Sequence, residues 1–268
     1  MDAPLNHQPI AVFDSGLGGL TVLRALRQRL PGEDFFYFAD TRFLPYGDRP
    51  ESFIRERGER IAASLARRGA KALVIACNTA TVVAAESIRA ASPLPVVALE
   101  PGVKPAAALT RSGVIGVLAT TRTLRSQRFQ RLVGDHASQH RVLAQACPGL
   151  AEAIERHGPG SAEIECLLDA FVAPLAAAGA DVVVLGCTHY PWVAEMIARR
   201  LPAGVTLLDT GEAVARQLER RLAAAGLLGG GQGRLTVASS GMPAQVEATV
   251  GRLWGSLLPV EHWEPDHA

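Results

Sequence analysis

Short, continuous apolar runs alternate along the chain with longer segments in which apolar residues recur every three or four positions. Ile10–Phe13, Phe35–Phe38, Leu73–Ala76, Val96–Leu99, Val114–Leu118, Val182–Leu185, Val205–Leu208 and Leu235–Ala238 are aliphatic or β-branched with almost no polar alternation. That pattern predicts strands covered on both faces, as in parallel sheets. Leu20–Arg29, Pro50–Arg68, Thr79–Ala91, Thr123–Leu132, Ser161–Ala178, Trp192–Leu201 and Gly211–Ala225 carry the helical period and predict helices. Strand and helix in turn predict an α/β protein built on parallel sheets. Gly229–Gly233 reads as a flexible surface turn and not as a phosphate loop.

The two halves of the chain repeat each other loosely. Ile10-Ala-Val-Phe-Asp14-Ser15 resembles Ile115-Gly-Val-Leu-Ala-Thr120-Thr121, and Leu73-Val-Ile-Ala-Cys77-Asn78-Thr79 resembles Val183-Val-Leu-Gly-Cys187-Thr188-His189. Pro95–Glu100 resembles Val205–Asp209. Asp14 and Cys77 are 63 residues apart, and Thr120 and Cys187 are 67 apart. Cys77 to Glu100 is 23 residues and Cys187 to Asp209 is 22. The fold class implied is two pseudo-symmetric open parallel-sheet domains. In each, a cysteine ends a central strand and opens a helix.

Composition narrows the picture. The chain has 268 residues, enough for a sizeable core, with 48% hydrophobic and 20% charged positions and a formal net charge of +1. No run of like charge points to nucleic acid or a membrane surface. The segment Met1–Pro9 lacks the pattern of a signal peptide, and no apolar run is long enough for a membrane span. A cytoplasmic, reducing setting with free thiols is expected for Cys77, Cys147, Cys166 and Cys187. Without a C-x-x-C pair, no metal site is expected.

In open α/β sheets, ligands bind beyond the carboxyl ends of the strands, where both Cys77 and Cys187 fall. A helix N-terminus there would favour the thiolate and bring a thiol, ordinarily near a pKa of about 8.5, into use as a base. If two such domains face each other, one thiol stands on each wall of a cleft. One could take a proton from one face of a stereocentre while the other delivers a proton to the opposite face. Preorganised N–H and hydroxyl donors would have to stabilise the developing charge, and Asn78, Thr79, Thr121 and Thr188 are suitably placed in sequence. Cys147 and Cys166 read as packing residues.

Cofactors are not expected. The only lysines are Lys71, before a strand, and Lys104, after Pro101-Gly102, and neither is an attractive Schiff-base residue for pyridoxal chemistry. Gly16-Leu17-Gly18-Gly19-Leu20-Thr21 has Thr where a dinucleotide fingerprint needs its last glycine.

Four motifs, in order, carry a family resemblance. They are Phe13-Asp14-Ser15-Gly16-Leu17-Gly18-Gly19-Leu20-Thr21-Val22, then Asp40-Thr41 with Pro45-Tyr46-Gly47, then Ala76-Cys77-Asn78-Thr79-Ala80, and Gly186-Cys187-Thr188-His189-Tyr190-Pro191. Together they resemble glutamate racemase, within the wider aspartate/glutamate racemase superfamily, over most of the chain. The resemblance implies interconversion of L- and D-glutamate without cofactor, with D-glutamate feeding peptidoglycan synthesis in the bacterial cytoplasm, and a homodimer. It implies that Cys77 handles the proton of D-glutamate and Cys187 that of L-glutamate, assisted by Asp14 and His189. Asp14, Ser15, Pro45, Tyr46, Gly47, Asn78, Thr79, Thr121, Thr188 and His189 would contact substrate or tune the thiols. It also implies a first domain of residues 1–100 plus 212–268, a second of 101–211, and the active site in the cleft between.

Two stretches depart from the family pattern. Cys147-Pro148-Gly149-Leu150-Ala151-Glu152-Ala153-Ile154-Glu155 is smaller and more polar than usual; Glu155 aligns with a functional glutamate, and Glu152 lies one turn earlier. Thr120-Thr121-Arg122-Thr123 replaces a more usual Thr-Pro turn. Three other readings stay open: racemisation of another acidic or hydantoin substrate, a cleft that binds an acidic amino acid without chemistry, and a Cys77–Cys187 redox switch.

Overall fold

The computed structural model describes residues 5–266. The first half runs β1 (Ile10–Asp14), α1 (Leu20–Arg29), β2 (Phe35–Ala39), α2 (Glu51–Arg67), β3 (Ala72–Ile75), α3 (Asn78–Ala91) and β4 (Val96–Ala98). The second runs α4 (Val103–Leu109), β5 (Val114–Ala119), α5 (Thr121–Arg125), α6 (Gln127–Ala137), β6 (Arg141–Ala146), α7 (Leu150–His157), α8 (Ala162–Ala177), β7 (Val182–Gly186), α9 (Ala194–Ala198) and β8 (Thr206–Leu208). A return follows through α10 (Gly211–Ala224), β9 (Leu235–Ser239), α11 (Pro243–Trp254) and β10 (Val260–His262).

Every strand pairing is parallel. One sheet has the order β10-β9-β2-β1-β3-β4 and the other β6-β5-β7-β8. The repeat seen in sequence is therefore a repeat of topology: β2-β1-β3-β4 is matched strand for strand by β6-β5-β7-β8. The return adds β9 and β10 to the outer side of β2.

Alternate residues of each strand leave on opposite faces, so the continuous apolar runs feed two cores at once. In the first sheet Ile10, Val12, Tyr37 and Val74 join a core with Leu23 and Leu26 of α1 and Leu218 of α10. Ala11, Phe13, Phe38, Leu73 and Ile75 join the core built by Ile54, Ile61 and Leu65 of α2 and Ile88 of α3. The second sheet does the same. Ile115, Val117 and Val184 meet Ala106 of α4 and Phe129 of α6, while Leu118, Val183 and Leu185 meet Leu168, Val172 and Leu175 of α8.

Several local predictions are corrected. The helix predicted over Thr123–Leu132 is two helices, because Ser126 leaves the helical region (ψ 144°) and its hydroxyl caps α6 by accepting from Phe129 N–H. β6 and β10 are edge strands with exposed, polar positions and lack the continuous apolar run of the others. Helices α4, α7 and α11 were not anticipated. The helix predicted over Trp192–Leu201 is a 3-10 turn, Tyr190–Val193, followed by the five-residue α9. Gly229–Gly233 is a tethered strap: Gly229 N–H donates to Glu33 Oε1 (2.6 Å) and Gln232 N–H to Asp34 Oδ1 (2.8 Å).

Register delivers the chemistry to one rim. Asp14 pairs with Ala39, Phe13 with Ile75, and Ala119 with Gly186. Asp14 and Cys77 thus leave adjacent strand ends of one sheet, and Thr120 and Cys187 leave the matching ends of the other.

Candidate active site between the two sheets

Cys77 is the N-cap of α3, with extended backbone (φ −127°, ψ 119°), and its sulfur accepts from Ala80 N–H at 3.4 Å. Ser15 Oγ lies 3.3 Å from the same sulfur. Asp14 supports this group from the neighbouring strand. Its Oδ1 accepts from Ser15 N–H (2.8 Å), and its Oδ2 accepts from Gly19 N–H (2.6 Å) and, across the cleft, from the Thr188 hydroxyl (3.5 Å). All of these side chains are buried.

The opposite wall is built differently. Cys187 does not open an α-helix, as the repeat suggested, but enters the turn before Tyr190–Val193. Its sulfur lies 3.7 Å from His189 Nδ1, and His189 Nε2 lies 2.7 Å from Glu155 Oε1. The same Glu155 oxygen accepts from Leu17 N–H at 2.6 Å, which ties α7 to the loop after β1. Glu152 makes neither contact. It lines, with Leu17, Glu155, Arg156 and Met242, a cavity of about 760 Å³ that neither cysteine borders.

The glycines after Asp14 allow the two walls to touch. A Cβ on Gly16 would stand 2.4 Å from Glu155 Oε1, and one on Gly18 would stand 2.4 Å from His189 Nδ1 and 2.5 Å from Thr188 Oγ1. Hydroxyls close the other side: Thr79 Oγ1 is 2.9 Å from Thr120 Oγ1 and 3.4 Å from Thr123 Oγ1. The cavity bordered by Cys187, Asn78 and Thr188 holds only about 10 Å³, roughly one water. A larger guest requires the walls to part or these contacts to be exchanged for its own. The Asn78 carboxamide oxygen is buried without a partner, a cost that a bound donor would remove.

Electrostatics differ between the walls. Burial pushes the Cys77 thiol far up, the charge of Asp14 adds to this, and the contacts from Ser15 and Ala80 only partly oppose it. The expected lowering by the helix terminus is therefore overturned: desolvation of a thiolate costs more than one sulfur-directed N–H returns. Burial also raises Asp14, to about 6, against the opposing effect of His189. For His189, burial favours the neutral ring, but Cys187 and Glu155 outweigh it and hold the imidazolium well above the ordinary histidine range. One wall thus carries a neutral thiol, and the other a sulfur beside a cation.

The family model for Asp/Glu/hydantoin racemases matches residues 21–218. A glutamate racemase of Pseudomonas paraeruginosa is 50% identical over 250 residues, covering 92% of this chain and 94% of that protein. The chain belongs to the glutamate racemase family. The fold agrees across solved glutamate racemases. That of Francisella tularensis, in complex with D-glutamate, has a TM-score of 0.85 at 26% identity, covering 97% of this chain and 99% of that one. That of Escherichia coli, in complex with L-glutamate, has a TM-score of 0.82 at 30% identity, covering 97% and 100%.

Asp14, Ser15, Cys77, Thr188, Cys187, His189 and Glu155 are joined by the contacts above, and Asn78 and Thr79 lie on the same rim. Gly47 of the Pro45–Tyr46–Gly47 turn faces Thr120, where a Cβ would stand 3.5 Å from the Thr120 Cβ. It is Thr120, the N-cap of α5, and not Thr121, that reaches Thr79, because the cap position aims the hydroxyl back over the cleft. The Tyr46 hydroxyl is committed to Asp40 Oδ2 at 2.5 Å. Tyr37, Arg57 and Thr123 were not singled out as site residues from sequence, and Asp40 was read only as part of the second motif, without a role. Arg57 left a trace: it falls on the apolar stripe of α2 between Ile54 and Ile61. Tyr37, which donates to Gly16 O at 2.8 Å, is hidden inside an apolar strand. Lys71 is held by Glu33, Asn6 O and Gly229 O on another part of the first sheet. No described helix is long and apolar enough to cross a membrane.

Proposed function

We propose that this glutamate racemase works without cofactor, by two-thiol acid/base chemistry, and supplies cytoplasmic D-glutamate for peptidoglycan synthesis. Residues 1–100 with 212–268 would form one wall and 101–211 the other. The observation that carries the reading is the pair of strand-end cysteines in matched topological positions, each with its own supporting group: Asp14–Ser15 for Cys77 and His189–Glu155 for Cys187.

With L-glutamate bound, the Cys187 thiolate removes the α-proton, and the Cys77 thiol gives its proton to the opposite face. The products are D-glutamate, a Cys187 thiol and a Cys77 thiolate, and protons then exchange to restore the starting form. The reverse reaction starts from the alternative form. In the first form the charged His189 lies beside the Cys187 sulfur, and burial keeps Cys77 protonated. Hydroxyls of Thr79 and Thr188, the Asn78 carboxamide and the backbone of the 45–47 turn would meet the carboxylates and ammonium. The equilibrium constant of a racemisation is one, so kcat/KM must be equal in the two directions whatever the asymmetry of the thiols.

Turnover in deuterated water tests this. Each enantiomer should yield product carrying solvent deuterium at Cα before its own pool is labelled. Cys77→Ala and Cys187→Ala should each abolish turnover. Full activity in either variant, or product that keeps the substrate's own α-hydrogen, would exclude the two-thiol reading.

A further inference from the structure

The Asp40 carboxylate is fully buried and accepts three hydrogen bonds. Tyr46 donates through its hydroxyl to Oδ2 (2.5 Å), Arg57 Nε donates to Oδ2 (2.9 Å) and Arg57 Nη2 to Oδ1 (2.6 Å). The guanidinium is itself boxed in. Its carbon lies 4.5 Å from the centre of the Phe43 ring, and Nη2 also donates to Glu264 Oε2 at 3.1 Å. Burial disfavours the charge on Arg57, but Asp40 and Glu264 outweigh it. Glu264 comes from the C-terminal tail. It is delivered by Trp263, which packs edge-on against Phe38 (4.7 Å between ring centres, 89°) and donates its backbone N–H to Ser239 O at 2.9 Å.

This chain of contacts ends at the cleft. The Tyr46 ring packs on Phe13 and Phe53, in the same buried cluster as Cys77. Its neighbour Gly47 faces Thr120 on the other wall. No side-chain hydrogen bond of Asp40, Arg57 or Glu264 is to Cys77, Cys187, Asp14 or His189; the direct link is main-chain, Asp40 N–H donating to Asp14 O at 2.9 Å. A bidentate arginine fixes a carboxylate in angle as well as distance, and Asp40 in turn fixes the Tyr46 hydroxyl and the turn that carries it.

We propose that Arg57 and Glu264 are positioning residues that act through Asp40 and Tyr46 to hold the 45–47 turn in its substrate-binding shape. They would set the affinity for glutamate and not the proton transfers. This rests on the assignment of that turn to substrate in the proposed function.

The test compares the full-length protein with Glu264→Gln and Arg57→Lys. A lysine offers a point charge that cannot span both Asp40 oxygens and Glu264. KM for both enantiomers is expected to rise about tenfold in Glu264→Gln and further in Arg57→Lys, with kcat of Glu264→Gln within twofold of wild type. Amide hydrogen exchange of residues 44–49 is expected to accelerate in Glu264→Gln, with exchange of the strands of both sheets unchanged. A KM within twofold of wild type overturns the proposal. So does a KM rise accompanied by faster exchange throughout the chain, which would mark a general loss of stability. If the wild type does not turn over glutamate, the proposed chemistry fails, and local exchange at 44–49 still decides: no acceleration in Glu264→Gln overturns the positioning role.

Discussion

The Glu155 carboxylate stands between the two walls, with Oε1 2.7 Å from His189 Nε2 and 2.6 Å from Leu17 N. One oxygen therefore orients the imidazole that faces Cys187 and anchors the loop that leaves Asp14. Glu155→Gln keeps the size but removes the charge that helps to hold His189 protonated. We expect kcat to fall by about 10²-fold, within the range for losing a general acid–base function. Glu152→Gln, one turn earlier on α7, should stay within twofold of wild type. Steady-state kinetics of the pair check the assignment, and equal losses in both variants would refute it.

Asp14 gives the reaction an acid limit. Its carboxyl is raised to about 6, chiefly by burial. As pH falls through that value the carboxylate beside Ser15 and Cys77 is lost, so kcat/KM should fall below pH 6 with unit slope. The sign for stability is the opposite. A buried carboxyl that binds its proton more tightly when folded favours the fold below the ordinary value of 3.8 and loses that benefit as pH rises to 6, by up to roughly 3 kcal/mol. Asp14→Asn should lack the limb near pH 6 in kcat/KM, measured on whatever residual activity remains. Persistence of that limb would show that another group titrates there.

Gly18 tests the contact between the walls. Its φ is not in the left-handed region, so an alanine is compatible with the backbone. The obstacle is the 2.4 Å approach to His189 Nδ1 and the 2.5 Å approach to Thr188 Oγ1. Gly18→Ala must push the imidazole from Cys187 or hold the walls apart. Because misplacement by about 1 Å can cost 10²-fold in rate, a loss of that order is expected. Circular dichroism and a thermal melt should show a folded protein. Wild-type kinetics in this variant would mean that the walls do not close to these distances in solution.

How far the sequence disclosed all this depends on whether a feature is local. The strands β1, β3, β5 and β7 were legible because burial on both faces leaves uninterrupted apolar runs, and the thiols because they sit at the ends of two of those runs. β6 was not, since an edge strand such as Arg141–Ala146 keeps polar residues on its exposed side. The split between α5 and α6 turned on a single capping serine. Glu155 could not be separated from Glu152 in sequence, because the choice depends on which face of α7 meets His189. The rise of the Cys77 thiol was missed for the same reason: the helix N-terminus is a local feature, whereas complete burial and the nearness of Asp14 arise only from packing.

Arg24 offers a last test, away from the thiols. Its guanidinium carbon lies 5.1 Å from the ring centre of Trp192, which follows the Cys187 motif, and 5.2 Å from that of Trp254 on α11. Its Nη2 also donates to Trp254 O at 3.4 Å. Such a cation–π contact is worth about 0.5–1 kcal/mol at exposed positions, and here there are two rings. Arg24→Ala should therefore lower stability by about 1 kcal/mol, or roughly 2–4 °C in melting temperature for a chain of this size. The third tryptophan, Trp263, packs on Phe36 and Phe38 instead. Emission changes in Arg24→Ala thus report on Trp192 and Trp254. If substrate entry parts the walls, glutamate should shift tryptophan emission in the wild type, and less so in Arg24→Ala. An unchanged melting temperature together with an unchanged emission spectrum in Arg24→Ala would show that the stack contributes nothing in solution.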